Sequence, residues 1–254
     1  MVRLEGLGLE YATPEGKVRA FEGMDAEIPE GGIVAVVGPS GCGKTSVIRV
    51  VSGLREPTSG RVVLESGAER TRMAVIFQDF GLLPWKTVSA NVELPLLLAG
   101  QRAKERRARA APLIAELGLG EFSRFFPARL SGGMRQRVAL ARALVQDPEI
   151  LLMDEPFSSL DALTRESMQE ILLELQRRRG TSVFLVTHSI EEAAYLADRV
   201  YVMRGRNPGR VVARIDSPDA TDSSGKPTRH PSFRTEPGFF DYMKEIRGAL
   251  EGSA

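Results

Sequence analysis

The chain opens on a loose alternation. Val2, Leu4, Leu7 and Leu9 alternate with polar or small residues, and Gly16, Gly23, Gly31 and Gly32 punctuate the stretch. Over residues 1–36 this predicts short strands and turns. The pattern then becomes a fully apolar run, residues 33–37 (IVAVV), of the kind buried inside a parallel sheet. That run enters a glycine-rich turn and then residues 46–51 (SVIRVV), which are helical in pattern. A strand at 61–65 follows the turn residues Pro57, Thr58, Ser59 and Gly60, and an apolar strand at 73–77 leads to Gln78. Between about 88 and 145, Ala, Leu, Glu and Arg dominate and β-branched residues thin out, which predicts a helical insert. From 150 the alternation of classes returns: strand 150–153, helix 162–179, strand 183–187, helix 190–197, strand 199–203. Residues 216–238 are rich in Ser, Pro, Asp and Thr and read as a loop. Beyond them Phe239, Met243, Ile246 and Leu250 fall at helical spacing, predicting a short amphipathic helix.

Composition adds boundaries rather than direction. The chain has 254 residues, 43% hydrophobic and 26% charged, with a formal net charge of +1. That is room for one large domain or a domain with an insert, and no global charge argues for nucleic acid or an anionic surface. The single cysteine, Cys42, excludes an intramolecular disulfide. No window reaches the roughly 18 apolar residues of a spanning helix, and the first residues lack a signal-peptide pattern. The expectation is a cytoplasmic chain whose membrane role, if any, comes through a partner. The basic run at 102–109 (RAKERRAR) reads as the solvated face of a helix.

The first chemistry lies at Gly38-Pro39-Ser40-Gly41-Cys42-Gly43-Lys44-Thr45, which matches G-x-x-x-x-G-K-[ST]. Gly38, Gly41 and Gly43 let the backbone curl so that successive N–H groups face phosphate oxygens. Lys44 adds a cation for the β- and γ-phosphates, Thr45 a hydroxyl for Mg²⁺, and the following helix its positive end. A strand before and a helix after supply the required context. Cys42, near a helix start, is expected to react with alkylators and to be protected by ATP.

The second lies at Asp154-Glu155, directly after the apolar strand 150–153. Two carboxylates at a strand end are costly to bury unpaired, but strand ends are where ligands sit in open α/β sheets. Beside a phosphate loop, Asp154 suits Mg²⁺, and Glu155 suits taking a proton from the water that attacks the γ-phosphate. The third is a helix opening at Ser131-Gly132-Gly133, a second N-terminus able to meet a phosphate. One ATP does not need two such sites from one chain, whereas a dimer does.

These motifs resemble the ATP-binding subunits of ABC transporters, in family order from about residue 2 to 215. Gly38 to Ser46 resembles the Walker A motif, with Thr45-Ser46 in place of the more usual Ser-Thr. Gln78 resembles the Q-loop glutamine, and Leu130-Ser131-Gly132-Gly133-Met134 the signature, with Met in place of its last Gln. Residues 150–155 resemble Walker B with its catalytic glutamate, Ser158-Ser159-Leu160-Asp161 the D-loop, and His188 the switch histidine. Tyr11 stands where the family stacks an aromatic on adenine, though a tyrosine in such a strand also packs without a ligand. The form LSGG-M-R-Q-R and the stretch 81–88 (GLLPWKTV) are similar to importers of nitrate, sulfonate and taurine.

The resemblance implies an α/β P-loop NTPase (RecA-like) core with an N-terminal antiparallel β subdomain and an inserted α-helical subdomain. It implies an ATP-binding domain over 1–215, with the insert at about 88–145, and a C-terminal loop and helix over 216–254. It also implies ATP and Mg²⁺, the latter held by Thr45, Gln78 and Asp154, with Glu155, His188 and Lys44 as the catalytic set. A homodimer sandwiching ATP, permease subunits, an external solute-binding protein and a place on the cytoplasmic membrane face complete the expectation, with no nucleic acid. Two other readings stand beside it. One is a soluble ABC-type ATPase acting on nucleic acid or ribosomes. The other is a P-loop kinase, in which the helix 130–144 would have no task. Trp85 reads either as a locally packed aromatic or as part of a permease contact. The tail 216–254 reads either as a regulatory or dimer-stabilising element or as a packing helix.

Overall fold

A computed structural model describes residues 1–64, 71–218 and 231–252. In chain order its elements are β1 (Val2–Thr13), β2 (Gly16–Ile28), β3 (Ile33–Val37), α1 (Lys44–Val51), β4 (Ser59–Leu64) and β5 (Met73–Ile76). The helices α2 (Val88–Val92), α3 (Leu94–Leu98), α4 (Ala103–Glu116) and α5 (Gly132–Leu144) follow. Then come β6 (Ile150–Asp154), α6 (Ala162–Arg179), β7 (Ser182–Thr187), α7 (Ile190–Leu196), β8 (Arg199–Arg204), β9 (Arg210–Asp216) and α8 (Pro237–Glu251). The chain divides into two compact units, one of Met1–Arg70 with Gly180–Ala254 and one of Thr71–Arg179.

In the first unit, β3 lies between β7 and β8, parallel to both, with Val34 opposite Phe184 and Val36 opposite Val186. Every residue of β3 and β7 is buried, which is why β3 and the centre of β7, residues 183–186, read as apolar runs. The edge strand β9 pairs antiparallel with β8. Sequence patterning did not predict β9, because its exposed and half-buried positions leave only Ile215 in the core. A separate antiparallel sheet runs β2-β1-β4. Here the short strands expected over 1–36 are two long ones whose pairing shifts register between Leu4 and Leu7 and again between Leu7 and Leu9. Gly6 and Gly23, both at positive φ, sit in these irregular stretches, so Gly23, which read as a turn, is a bend inside a strand. Strand β4 begins at Ser59, before the expected start; Glu65, its expected last residue, lies outside the described residues, as do residues 219–230 of the expected loop.

The terminal helix α8 forms, but its buried face is Phe239, Tyr242, Ile246 and Ala249 rather than the predicted Phe239, Met243, Ile246 and Leu250. The face is turned because Tyr242 points into the unit, its hydroxyl reaching the Ile215 carbonyl at 3.5 Å. Just before α8, Arg234 stacks on the ring of Tyr195 in α7, 3.5 Å from its centroid, and pairs with Glu191 at 3.3 Å. The tail thus packs on α7.

In the second unit, β5 and β6 pair in parallel, with Val75 opposite Leu152. The helices α2 to α5 lie between them in sequence. The basic run opening α4 is not wholly solvated: Arg106 pairs with Glu93 at 3.4 Å, both largely buried, and Arg109 with Asp147 at 2.8 Å. Among the described residues no helix is long and apolar enough to cross a membrane.

Candidate functional site

The phosphate loop leaves the buried end of β3 and closes on α1, whose N-cap, Gly43, has a left-handed φ of 98°. Close neighbours explain its glycines. A Cβ at Gly38 would stand 2.5 Å from the Met203 carbonyl oxygen, and one at Gly43 2.6 Å from that of Ala20. The loop's shape is therefore set by backbone packed against it, not by local preference alone. Lys44 is only 5% exposed and donates from Nζ to the Gly38 and Pro39 carbonyls at 2.8 and 3.0 Å. Its ammonium is thereby held on the loop's own backbone, while Pro39, Ser40 and Gly41 form an exposed rim. Thr45 and Ser46 open α1. Cys42 departs from expectation: its side chain is fully buried, so an alkylator meets it only if the loop opens.

Two other predicted residues share this unit. Tyr11, half-buried on β1, bonds the Ser46 hydroxyl at 3.1 Å, and the Arg55 guanidinium lies 5.9 Å from its ring centroid. The aromatic therefore sits beside the end of the phosphate loop. His188 stands exposed at the end of β7. Its surroundings are rigid: the buried Thr187 hydroxyl donates to the Glu192 carboxylate at 2.7 Å and accepts from the Ser189 N–H at 3.0 Å. Ser189 then caps α7. The Gly38 N–H donates to the Thr187 carbonyl at 3.4 Å, so the histidine and the start of the phosphate loop are tied together.

The second unit carries the remaining predicted residues. Asp154 ends β6 at 4% exposure, and Glu155 follows with φ +46°, a left-handed conformation unfavourable to a non-glycine residue. The turn is held from two sides. Ser158 donates from both its N–H and its hydroxyl to the Glu155 carbonyl, and the buried Gln136 donates to the Pro156 carbonyl at 2.8 Å. Asp161 caps α6 by accepting the Thr164 N–H at 3.0 Å, and that bond holds its exposed carboxyl below the ordinary range. Ser131 caps α5, accepting the Met134 N–H at 3.3 Å, and stays exposed. Gly133 is buried because α6 presses on it: a Cβ there would lie 2.5 Å from Thr164 Cγ2.

Gln78 lies exposed just after β5. The loop beyond it is anchored by residues sequence reasoning missed. Arg142, near the end of α5, donates to the Phe80 and Gly81 carbonyls; burial lowers its pKa, opposed by nearby Asp79. Asn91, fully buried in α2, accepts the Leu83 N–H at 2.8 Å and donates to the carbonyls of Leu83, Lys86 and Thr87. A lone amide in an otherwise apolar helical stretch was the available signal. These bonds present Trp85 to solvent at 71% exposure, so it is not a locally packed aromatic.

Residues 21–158 match the ABC transporter family. The chain is 43% identical over 260 residues to the "Taurine import ATP-binding protein TauB" of Rhizobium johnstonii, covering 100% of this chain and 97% of that protein. It is 38% identical over 257 residues to the "Nitrate import ATP-binding protein NrtD" of Synechocystis sp., covering 99% and 95%. A solved dimer of the ATP-binding cassette MJ0796, in a post-hydrolysis state bound to ADP and Pi, matches with a TM-score of 0.74 at 32% identity. That match covers 85% of this chain and 98% of the other. The α/β architecture with its antiparallel β sheet is thus the P-loop NTPase fold, and the chain belongs to the ABC transporter family as one of its ATP-binding, ATP-hydrolysing subunits.

Proposed function

We propose that this ATPase is the motor subunit of an importer for a small anion or sulfonate of the nitrate or taurine type, working as a homodimer on permease partners at the cytoplasmic face of the membrane. The observation that supports it most is the full-length similarity to relatives named for taurine and nitrate import. Lys44 and the amides of residues 38–45 hold the ATP phosphates, and Tyr11 stacks on adenine. Ser131, Gly132 and Gly133 of a second copy close over the same nucleotide, which accounts for a capped helix start left exposed. Glu155 takes the proton of the attacking water, His188 steadies the γ-phosphate, and Asp161, in the D-loop-like segment, belongs to the nucleotide-binding set.

Thr45, Gln78 and Asp154 offer a hydroxyl, an amide and a carboxylate, all hard oxygen donors that suit Mg²⁺. Bound there, the ion would neutralise charge on the transferred phosphoryl group. Hydrolysis removes the phosphate that bridges the copies, and the dimer reopens. The exposed Trp85, in the loop shaped by Asn91, is where the permease grips.

The test is a pull-down of the tagged chain from detergent-solubilised membranes of its own source. Recovery of a polytopic permease, with an anion- or sulfonate-binding protein, supports the reading. Recovery of ribosomal or DNA-associated proteins alone overturns the transport role and leaves the ATPase standing.

A further inference from the structure

The segment that follows β8 lies along the phosphate loop at several places. The Met203 carbonyl faces Gly38, and Gly209 packs against the Cys42 carbonyl. Between them Arg206 meets Gly41: a Cβ there would stand 3.2 Å from Arg206 Nε and 3.7 Å from its Cζ. Arg206 thus occupies the space that a side chain on the loop's exposed rim would take.

Its charge is the unusual part. Three arginines of the same hairpin are paired, Arg199 and Arg214 with Asp216 and Arg210 with Glu22, whereas Arg204, at the end of β8, makes no ion pair among the described residues. Arg206 is exposed, and among the described residues it makes no hydrogen bond or ion pair. Residues 38–45 contain no carboxylate. A guanidinium beside inward-facing amides, a helix start and Lys44 is a cation among positive groups, an arrangement that becomes favourable once an anion is present. The loop also has a direction. Lys44 holds the Gly38 and Pro39 end, and Tyr11 marks the Ser46 end. Arg206 stands at Gly41, on the exposed rim that continues from Pro39, and its segment packs on Gly38 before it and on Cys42 after it.

We propose that Arg206 is a further ATP-binding residue, a cation at the rim of the phosphate loop that contacts the terminal phosphates. This rests on the reading that residues 38–45 hold ATP. A planar guanidinium suits two phosphate oxygens at once, yet an exposed charge remains screened by salt, so the effect is moderate.

The experiment measures ATP, ADP and AMP affinities of the purified full chain, together with its melting temperature. Arg206→Ala is expected to weaken ATP about fivefold, ADP less and AMP not at all. Arg206→Glu weakens ATP about twentyfold, and Arg206→Lys stays within about twofold of the parent, because charge is what counts. The differences shrink in about 0.5 M salt, and the melting temperature stays put. Wild-type ATP affinity in both Arg206→Ala and Arg206→Glu overturns the proposal. So does an equal loss for ATP, ADP and AMP with a lowered melting temperature, which would make Arg206 a brace for the loop. Lys44→Ala separates the two levels. If it loses ATP while the Arg206 variants do not, only the Arg206 assignment fails; if it keeps ATP, the site reading itself fails.

Discussion

Two helix N-termini in this chain carry glycines and are read as meeting phosphates, and they are built in opposite ways. At α1 the loop is enclosed: Gly38 and Gly43 are hemmed in by the Met203 and Ala20 carbonyls, and Lys44 is buried on the loop's own backbone. At α5 the cap Ser131 faces solvent, and the buried Gly133 is glycine because Thr164 leans on it. The first terminus is enclosed by the backbone of its own unit. The second is an open end whose glycine serves helix packing and whose cap is exposed. Similar residues therefore build an enclosed loop in one unit and an open helix start in the other.

In the proposed site, loss of Glu155 strikes turnover while loss of Lys44, on the enclosed loop, strikes binding. Glu155→Gln should lower ATP turnover by about 10²–10⁴-fold with ATP still bound, as expected for loss of a general base. Phosphate release and nucleotide retention check it, and unchanged turnover removes Glu155 from its role. Lys44→Ala should cost ATP affinity about a hundredfold, roughly 3 kcal/mol. A titration on folded protein decides, and a loss of turnover alone would remove Lys44 from the binding role.

Within the second unit, Gly133→Ala should destabilise by about 1–3 kcal/mol through overpacking on Thr164. Adding Thr164→Ser removes Cγ2 and should restore most of that loss in a denaturation double-mutant cycle. Failure of the rescue would mean that Gly133 is glycine for another reason. Gln136→Leu strips the Pro156 carbonyl of its donor and should cost about 1–3 kcal/mol. Because the bond braces the turn at Glu155, turnover should fall with ATP affinity kept.

The smallest effect concerns Asp161. Its pKa is lowered in the folded state by the Thr164 N–H, so its cap stabilises above the ordinary carboxylate range and is lost as pH falls through the lowered value. Asp161→Ala should lower the melting temperature slightly near neutral pH, with the gap to the parent closing in acid.

Much of this was legible in one dimension. Residues 38–45 identify a phosphate loop because strand, glycines, lysine and hydroxyl must follow one another in order for the nest to form. The strand 150–154 with Glu155 and the cap at Ser131 are local for the same reason: each is a periodicity ended by a residue with one suitable partner a few positions away. Contacts between distant segments had no such signature. Arg142 on the Phe80 and Gly81 carbonyls joins residues some sixty positions apart, Gln136 on Pro156 twenty apart, and Arg206 beside Gly41 well over a hundred. The turned face of α8, the burial of Cys42 and the strand-internal glycines Gly6 and Gly23 belong with these. Sequence by itself determined which chemistry the chain carries, because motifs are short-range and backbone-directed. Tertiary structure alone decided which residues hold that chemistry in place, because packing brings together side chains and carbonyls that no spacing along the chain relates.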